Sequence, residues 1–346
     1  MTNDRENGAE DMAARPYSIT VIMPAYNAVA FLPHSLPPLC QLLTAGKVLE
    51  VIVIDDSSSD ATARMASEMG ARVIPSGGRL GPGGARNIAA KQASGDILWF
   101  VDSDVVGRPD GPEKIARAFT DPGVWAVFGS YDDKPRAQNF GSQYKNLVHH
   151  FVHQQGKPDA STFWAGYGAI RKDRFLAVGG FDGERYTMPS IEDIELGYRL
   201  RDNGGRILLD RTLLCTHLKL WTVRELIRVD ILRRALPWGR LMLSRGGLDN
   251  DLNVGWTERL RAGLAGLVVL SVLAALVGVA PFWTPLAAFA LAVAVNAKLF
   301  AAFARHKGVL FALAAIAFHQ AYYIYSTAAF LWCWTERKLA RPARAG

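Results

Sequence analysis

The stretch VLEVIVIDDSSSDAT, residues 48–62, decides the fold that this sequence predicts. Its first seven residues are mostly aliphatic and β-branched, which favours a buried strand. Asp55 and Asp56 follow that strand directly, and a turn rich in Ser and Asp leads into a helical pattern. The stretch therefore predicts a strand, a turn and a helix, with carboxylates at the carboxyl end of the strand.

The same unit recurs on both sides of this stretch. Alternation of strands and helices predicts an α/β domain with a mostly parallel sheet and helices on both faces. In such sheets the ligand lies beyond the carboxyl ends of the strands. Further strands are predicted at 18–23, 71–74, 96–101 and 124–128, and helices at 28–44, 60–69, 84–94 and 111–120.

Length and composition exclude several classes of protein. The chain has 346 residues, of which 50% are hydrophobic and 21% charged, so it is not a disordered chain. Cys40, Cys215 and Cys333 are far apart and odd in number, which excludes a disulfide scaffold and a paired-cysteine zinc site. The net charge of +7 comes partly from residues near the apolar segments, so we do not expect a nucleic-acid partner.

The last third of the chain is apolar enough to enter a membrane. Residues 262–297 and 308–335 contain no Asp, Glu, Lys or Arg, and a spanning helix needs about 20 apolar residues. Pro281 and Pro285 interrupt the first segment. The sequence predicts membrane helices at about 262–281, 285–304 and 309–334 within a membrane domain at 259–336, and leaves open whether the third segment spans or re-enters.

The regions around the membrane domain are polar or basic. Residues 1–15 are polar and predict a disordered tail. Because they lack the apolar core of a signal peptide, we expect the catalytic domain at 16–220 to stay in the cytoplasm. The linker at 221–258 carries arginines between apolar residues, typical of an amphipathic helix at a lipid interface or packed on the catalytic domain. A basic tail follows at 337–346.

Two motifs between the strands carry candidate chemistry. Asp102-Ser103-Asp104 ends the predicted strand 96–101, and two carboxylates one residue apart suit a hard cation such as Mg²⁺ or Mn²⁺. A turn is the structural alternative. Residues 77–87, GGRLGPGGARN, hold five glycines within eight residues before a helix, so the backbone there can approach a ligand closely.

The motifs together resemble family 2 glycosyltransferases of the GT-A fold. The resemblance covers about residues 17–217 and implies a Rossmann-like, mostly parallel sheet domain followed here by a C-terminal α-helical membrane domain. The matching pieces are MPAYN (23–27), VIDDSSSDAT (53–62), GPGGARN (81–87), DSD (102–104) and the segment from Trp164 to Ile207 that contains IED (191–193).

The resemblance implies a role for individual residues in binding a nucleotide-sugar donor, UDP- or GDP-linked, and a metal. Asp104, Asp102 and His217 would hold Mg²⁺ or Mn²⁺, with Asp104 the more direct ligand. The donor would be bound by Pro24, Ala25, Tyr26, Asp55, Asp56, Gly84, Arg86, Asp102 and Ser103.

The resemblance also implies a site for the sugar, the acceptor and the base. Asp193, with Glu192 beside it, matches the general base. Ser190 to Asp193 also looks like a capping box at the start of a helix, so a purely structural role stays open. His217 stands alone in the sequence, so a structural role in place of metal binding also stays open. The sugar and acceptor would be bound by Trp164, Ala165, Gly166 and Tyr167.

The sequence thus predicts a membrane-anchored, metal-dependent, inverting hexosyltransferase of the cell envelope. It would move a sugar to a lipid or lipid-linked hydroxyl acceptor at the cell membrane, with a multi-pass anchor and a cytoplasmic catalytic domain. The alternatives are a polyprenyl-phosphate glycosyltransferase, a polysaccharide synthase, a non-enzymatic membrane scaffold and a nucleotidyltransferase. The full tryptophan motif of the synthases is replaced here by Arg234-Ala235-Leu236-Pro237-Trp238.

Overall fold

The structure of the protein is a computed structural model that describes residues 17–245 and 255–339. The described residues divide into two compact units. An α/β unit comprises 17–137 and 153–219, and a helical unit comprises 138–152 and 220–339. The predicted tail at 1–15, part of the predicted linker and most of the basic tail lie outside the described residues.

A single mixed sheet organises the α/β unit. Its strand order is β3-β2-β1-β4-β8-β6-β9-β5, with β7 paired to β9. The first four are parallel, whereas β8 runs antiparallel to both of its neighbours, so the sheet is less parallel than predicted. The strands are β1 (Ile19–Ala25), β2 (Glu50–Asp55), β3 (Arg72–Pro75), β4 (Ile97–Val101), β5 (Val105–Gly107), β6 (Val124–Tyr131), β7 (Asp159–Ala160), β8 (Tyr167–Arg171) and β9 (Arg206–His217).

Helices cover the sheet and follow the predicted strand–helix alternation in the first half of the chain. The apolar residues of β1, β2 and β4 are almost completely buried, as expected of strands covered on both faces. These helices are α1 (Leu32–Thr44), α2 (Thr62–Glu68), α3 (Gly81–Gln92), α4 (Gly111–Ala118), α6 (Lys172–Ala177) and α7 (Glu192–Asp202), whereas most of α5 (Phe140–Gln155) belongs to the helical unit.

The short strand β5 positions one end of the candidate site. It follows Asp104 directly and pairs antiparallel with the end of β9, with Val105 opposite His217. The amide of Leu218 donates to the carbonyl oxygen of Asp104 at 2.8 Å. This pairing brings the Asp-Ser-Asp turn and His217 together, although more than a hundred residues separate them in the sequence.

The helical unit contains the apolar C-terminal segments. Within the described residues, α10 (Trp256–Leu276) and α13 (Val309–Leu339) are long and apolar enough to cross a membrane. The apolar side chains of α10 are largely exposed, with Leu270 at 64% and Leu276 at 77%. Such an apolar surface is suited to lipid rather than to water. The third predicted segment, 309–334, is thus one continuous helix.

The predicted helix over 285–304 is wrong in one respect, because it is broken. It consists of α11 (Thr284–Ala294) and α12 (Ala297–Lys307), which meet at an angle of 71°. At the break the Asn296 side chain donates to the carbonyl oxygen of Ala292 at 3.0 Å, and its own oxygen accepts from Tyr323 at 3.1 Å. An asparagine that bonds to its own helix favours such a break. Helices α11 and α12 add a third membrane span only if the two cross the bilayer together as one broken helix.

The basic linker forms helices with an irregular turn between them. These are α8 (Val223–Val229), a π-helical turn (Asp230–Ala235) and α9 (Leu236–Arg245). Asp230 lies at the start of the π-helical turn and is almost fully buried. Its carboxylate accepts from Lys145 at 2.6 Å and from Tyr325 at 3.2 Å. The buried acid is therefore paired inside the helical unit.

We expect Gly129→Ala to destabilise the α/β unit. The register of β6 against β9 shifts between Phe128 and Ser130, and a Cβ at Gly129 would collide with the carbonyl oxygen of Leu213. Overpacking of this kind costs about 1–3 kcal/mol. The measurement is the Tm of the purified chain in detergent. Gly78→Ala is the matched control, because no atom lies within 4 Å of the added methyl group, and an equal fall in both variants would contradict the prediction.

Candidate active site

The ends of β1 and β2 form one side of the candidate site. Pro24 and Ala25 are buried at the end of β1, and Tyr26, the next residue, is 43% exposed. The amide of Asp56 donates to the carbonyl oxygen of Ala25 at 2.8 Å, which ties the two strand ends together. Of the predicted donor contacts here, Tyr26 therefore offers a side chain to a ligand, whereas Pro24 and Ala25 offer at most backbone.

The two acids after β2 have different partners. Asp56 is buried, and its carboxylate accepts from the amides of Leu80 at 2.8 Å and Gly81 at 2.9 Å. Asp55 accepts from the amide of Ser58 at 3.4 Å, and its Oδ1 atom is buried without a hydrogen-bond partner in the described chain. Asp56 therefore holds the Gly-rich loop beside the exposed ring of Tyr26.

A buried arginine connects two acids from distant parts of the chain. Arg86 on α3 is 3% exposed. One of its terminal nitrogens forms an ion pair with Asp102, and the other lies 3.8 Å from the carboxylate of Glu192 at the start of α7. A buried cation between two carboxylates offsets the charge repulsion that those acids would otherwise exert on each other.

The glycines at the start of α3 let it pack closely on the segment before α7. A Cβ at Gly81 would collide with the carbonyl oxygen of Thr187, and one at Gly183 would lie 3.0 Å from the Cα of Gly84. The Asn87 side chain donates to the carbonyl oxygen of Phe181 at 2.8 Å and accepts from its amide at 2.9 Å. Gly84 is thus a close-packing position, and Arg86 is carried into the site by this contact.

The Asp-Ser-Asp turn presents its two acids to different partners. Asp104 Oδ2 lies 3.6 Å from Nε2 of His217, which stacks on the ring of Tyr131 at 4.4 Å. Burial raises the pKa of Asp104, but the hydrogen bond and charge of His217 outweigh it and the pKa is lowered. Burial raises the pKa of Asp102, with a further increase from Asp104 and Asp193 that Arg86 opposes. Asp102, Ser103 and Asp104 are all partly exposed.

Glu192 and Asp193 begin α7, within the four residues that resemble a capping box in the sequence. Ile191 is the N-cap residue and makes no side-chain cap, and the amide of Ser190 donates to Glu192 at 2.8 Å. Asp193 accepts from the amide of Ala165 at 3.2 Å and is partly exposed. Burial, together with the charge of Asp193, raises the pKa of Glu192 to about 7. Asp193 is therefore the more accessible of the two acids.

The segment before β8 separates into an exposed part and a core part. Trp164 is half-buried against the ring of Tyr131 at 4.9 Å, and a Cβ at Gly166 would lie 2.7 Å from the Trp164 indole. Gly166 therefore leaves the space that this indole occupies. Ala165 and Tyr167 are buried, and the Tyr167 hydroxyl accepts from the amide of Arg108 at 3.2 Å. The structure places Tyr167 in the core rather than at the surface where a sugar would bind.

The side chains at the site supply only some of the ligands that a hard divalent cation needs. The described residues contain no group of three or more His, Cys, Asp or Glu side chains arranged to hold a metal ion. Asp104 supplies a carboxylate, the ligand that Mg²⁺ and Mn²⁺ prefer, and His217 beside it supplies an imidazole, which suits a transition metal such as Mn²⁺ better than Mg²⁺. The residues therefore fit a cation that also takes oxygens from a bound diphosphate.

Two contacts at the site were not predicted from the sequence. The guanidinium carbon of Arg79 lies 3.0 Å from the ring centroid of Tyr26, and Tyr131 stacks on His217. Arg79 lies within the Gly-rich motif quoted above, so its glycine neighbours were the available signal. Tyr131 was missed because the predicted strand at 124–128 ends three residues before the observed one.

Relatives of known activity match this α/β unit. Residues 20–178 match the model of glycosyl transferase family 2. The validoxylamine A glucosyltransferase of Streptomyces hygroscopicus subsp. jinggangensis is 28% identical over 56% of this chain and 53% of that protein. The pre-mycofactocin glycosyltransferase of Mycobacterium tuberculosis is 28% identical over 60% of this chain and 45% of that protein. The chain spans about half the length of the curated relatives it matches.

Solved structures share the fold. Glucosyl-3-phosphoglycerate synthase of M. tuberculosis, in complex with Mn²⁺ and UDP-glucose, superposes with a TM-score of 0.51 at 22% identity, over 70% of this chain and 84% of that one. A mannosyltransferase from Pyrobaculum calidifontis, in complex with GDP-Man and Mn²⁺, does so with a TM-score of 0.50 at 19% identity, over 94% and 92%. The family resemblance and the GT-A fold with a C-terminal helical region, both predicted from the sequence, are confirmed.

We expect the stability of the α/β unit to fall with rising pH partly because of Glu192. Its folded-state pKa of about 7 lies above the ordinary 4.5, so the folded unit binds the proton more tightly. That contribution is complete below pH 4.5 and is lost as the pH rises through 7. Glu192→Gln should therefore reduce the fall in Tm between pH 5 and pH 7.5, whereas Glu68→Gln, an exposed control, should not. Identical pH profiles for wild type and Glu192→Gln would contradict the prediction.

Proposed function

We propose that this chain, whose N-terminal α/β unit is a family 2 glycosyltransferase domain, transfers a hexose from a nucleotide-diphosphate donor to a hydroxyl group of a lipid or lipid-linked acceptor. One observation carries the proposal. Asp102 and Asp104 follow the carboxyl end of β4, Arg86 from α3 forms an ion pair with Asp102, and Asp193 from the start of α7 accepts from the amide of Ala165 just before β8, the neighbour of β4. Strand ends of this kind are where α/β sheets bind their ligands.

The nucleotide-sugar donor would lie between Tyr26, which follows β1, and the Asp-Ser-Asp turn, which follows β4. Tyr26 provides an exposed aromatic face for a nucleobase, and Asp56 provides a carboxylate beside it. Arg86, which is buried and paired with Asp102, would have to turn from that carboxylate to contact the diphosphate. Planar arginine groups bind phosphate oxygens in pairs, which favours this role. A UDP- or GDP-linked sugar satisfies these contacts.

The leaving diphosphate needs positive charge. Asp104 and His217 would hold Mg²⁺ or Mn²⁺, with Asp102 at the neighbouring position. A cation bound there would stabilise the charge that develops on the diphosphate. Arg86 would add a second positive charge near the leaving diphosphate. Because Asp102 and Asp104 are acidic and adjacent, they would repel an anionic diphosphate without such a cation.

Asp193 would accept the proton of the attacking hydroxyl. Its carboxylate is partly exposed and is oriented by the amides of Ala165 and Ile194, at 3.2 and 2.9 Å. A single base with the donor held opposite it favours direct displacement, which inverts the anomeric carbon. Trp164, next to Ala165, would border the sugar and the acceptor. Glu192 remains paired with Arg86 and positions it.

The apolar helices support a membrane-bound acceptor. The exposed apolar surfaces of α10 and α13 favour anchoring in the cell membrane. We place the α/β unit on the cytoplasmic side because Arg259, Arg261, Arg305 and Lys307 flank the first two apolar segments. An enzyme fixed to a bilayer gains most when its acceptor is held in the same bilayer. We therefore propose a lipid or lipid-linked alcohol of the cell envelope as acceptor.

Two variants test the reaction. We expect Asp104→Ala to abolish metal-dependent transfer, and Asp193→Asn to reduce kcat by about 100-fold or more, the scale of general-base catalysis. Transfer is measured with the full chain in lipid extract, over UDP- and GDP-linked sugars with Mg²⁺ or Mn²⁺, and the product's anomeric configuration is read by NMR. Glu195→Gln on the same helix is the control. Transfer that survives in Asp193→Asn would point instead to a phosphate acceptor, which is already ionised.

Membrane placement is tested separately. We expect the chain to stay in membranes washed with alkaline carbonate, because α10 and α13 would span the bilayer. Trypsin should cut the α/β unit in inside-out vesicles and leave it intact in right-side-out vesicles. The reverse pattern would place the α/β unit outside, and release by carbonate would contradict spanning helices.

A further inference from the structure

The contact between Arg79 and Tyr26 lies where the proposed function places the nucleobase. The guanidinium carbon of Arg79 is 3.0 Å from the centroid of the Tyr26 ring, so the two planar groups are in direct contact. Nε of Arg79 lies 3.4 Å from Oδ2 of Asp56. Tyr26 is 43% exposed and the Arg79 side chain 39% exposed, so both are open to solvent at this edge.

The guanidinium group of Arg79 has the chemical features that a nucleobase would have in this position. A guanidinium group is planar and delocalised, stacks on aromatic rings, and donates N–H groups to carboxylates. Uracil and guanine also combine a flat face with a ring N–H donor. Asp56 already accepts two backbone amides, so the contact with Arg79 takes up acceptor capacity that a base would use.

We propose that Arg79 is an internal competitor of the nucleobase. It covers the aromatic face of Tyr26 and shields the carboxylate of Asp56 in the free protein, and the base of the donor displaces it on binding. The proposal rests on the proposed function, because it assumes that Tyr26 and Asp56 form the base site. It goes further in making Arg79 the residue that sets the affinity for the base.

The loop around Arg79 is built for such a displacement. On its carboxyl side, the amides of Leu80 and Gly81 are fixed on Asp56, and Gly81 packs on Thr187. On its amino side, Gly77 has a φ of 79°, and no atom lies within 4 Å of a Cβ built on Gly77 or Gly78. The loop is held by Ser76, which donates to the carbonyl oxygen of Gly78, and by the two amide contacts with Asp56, so the exposed Arg79 side chain can leave Tyr26 by rotation of its own bonds while the backbone stays in place.

The competition predicts that removal of the guanidinium tightens the binding of the base. We expect Arg79→Ala to lower the Kd for uridine or guanosine by about three-fold, the scale of an exposed cation–π contact. Arg79→Lys keeps the charge but not the planar group and should fall between wild type and Arg79→Ala. The Kd values are measured by isothermal titration calorimetry on the full chain in detergent. Nucleosides are used because they lack phosphates, which the charge of Arg79 would attract.

Two controls separate this inference from the proposed function. Tyr26→Ala should weaken nucleoside binding, and inorganic diphosphate should not bind more tightly to Arg79→Ala. If Tyr26→Ala weakens binding but Arg79→Ala leaves it unchanged or weakens it, the competitor role is overturned and the base site stands. If Tyr26→Ala has no effect on nucleoside binding, the base site itself is misplaced and both proposals fail.

Discussion

The arrangement of the site depends on one buried cation. Arg86 lies between Asp102, at the end of β4, and Glu192, at the start of α7. Without it, Glu192 would be buried without a counter-charge, which is strongly destabilising, and the partly exposed Asp102 would lose its ion pair. The Gly-rich start of α3 can approach the 181–192 segment only because glycines stand at the contacts. The ion pair and the close packing therefore depend on each other.

The two units satisfy different physical requirements. The α/β unit buries its apolar strands under helices and collects its acids at one edge. The helical unit leaves apolar side chains exposed on α10 and α13 and pairs the buried Asp230 with Lys145. Buried polar groups in a lipid-facing bundle must find partners within the protein. Such pairs are therefore expected of a unit placed in a bilayer.

The sequence predicted what depends on local pattern and missed what depends on distant pairing. Strands β1 to β4 were predicted from their apolar runs. The acids of the site were predicted because they directly follow two of these strands. Strand β5 is three residues long, and only its pairing with the end of β9 defines it. The amide of Ser190 donates to Glu192, a contact that the sequence pattern did not predict. The burial of Tyr167 and the break at Asn296 likewise depend on residues far along the chain, which no local window contains.

The membership of α5 in the helical unit has a consequence for synthesis. Tyr144 bonds to His319, and Leu147 packs in the same apolar cluster as residues of α12 and α13. These partners are made about 150 to 175 residues later, on the order of 10 to 30 seconds at ribosomal speeds of about 5–20 residues per second. During that interval the nascent chain displays the apolar face of α5 without the helices that later cover it, so the helical unit can complete its core only after the last helix has been made.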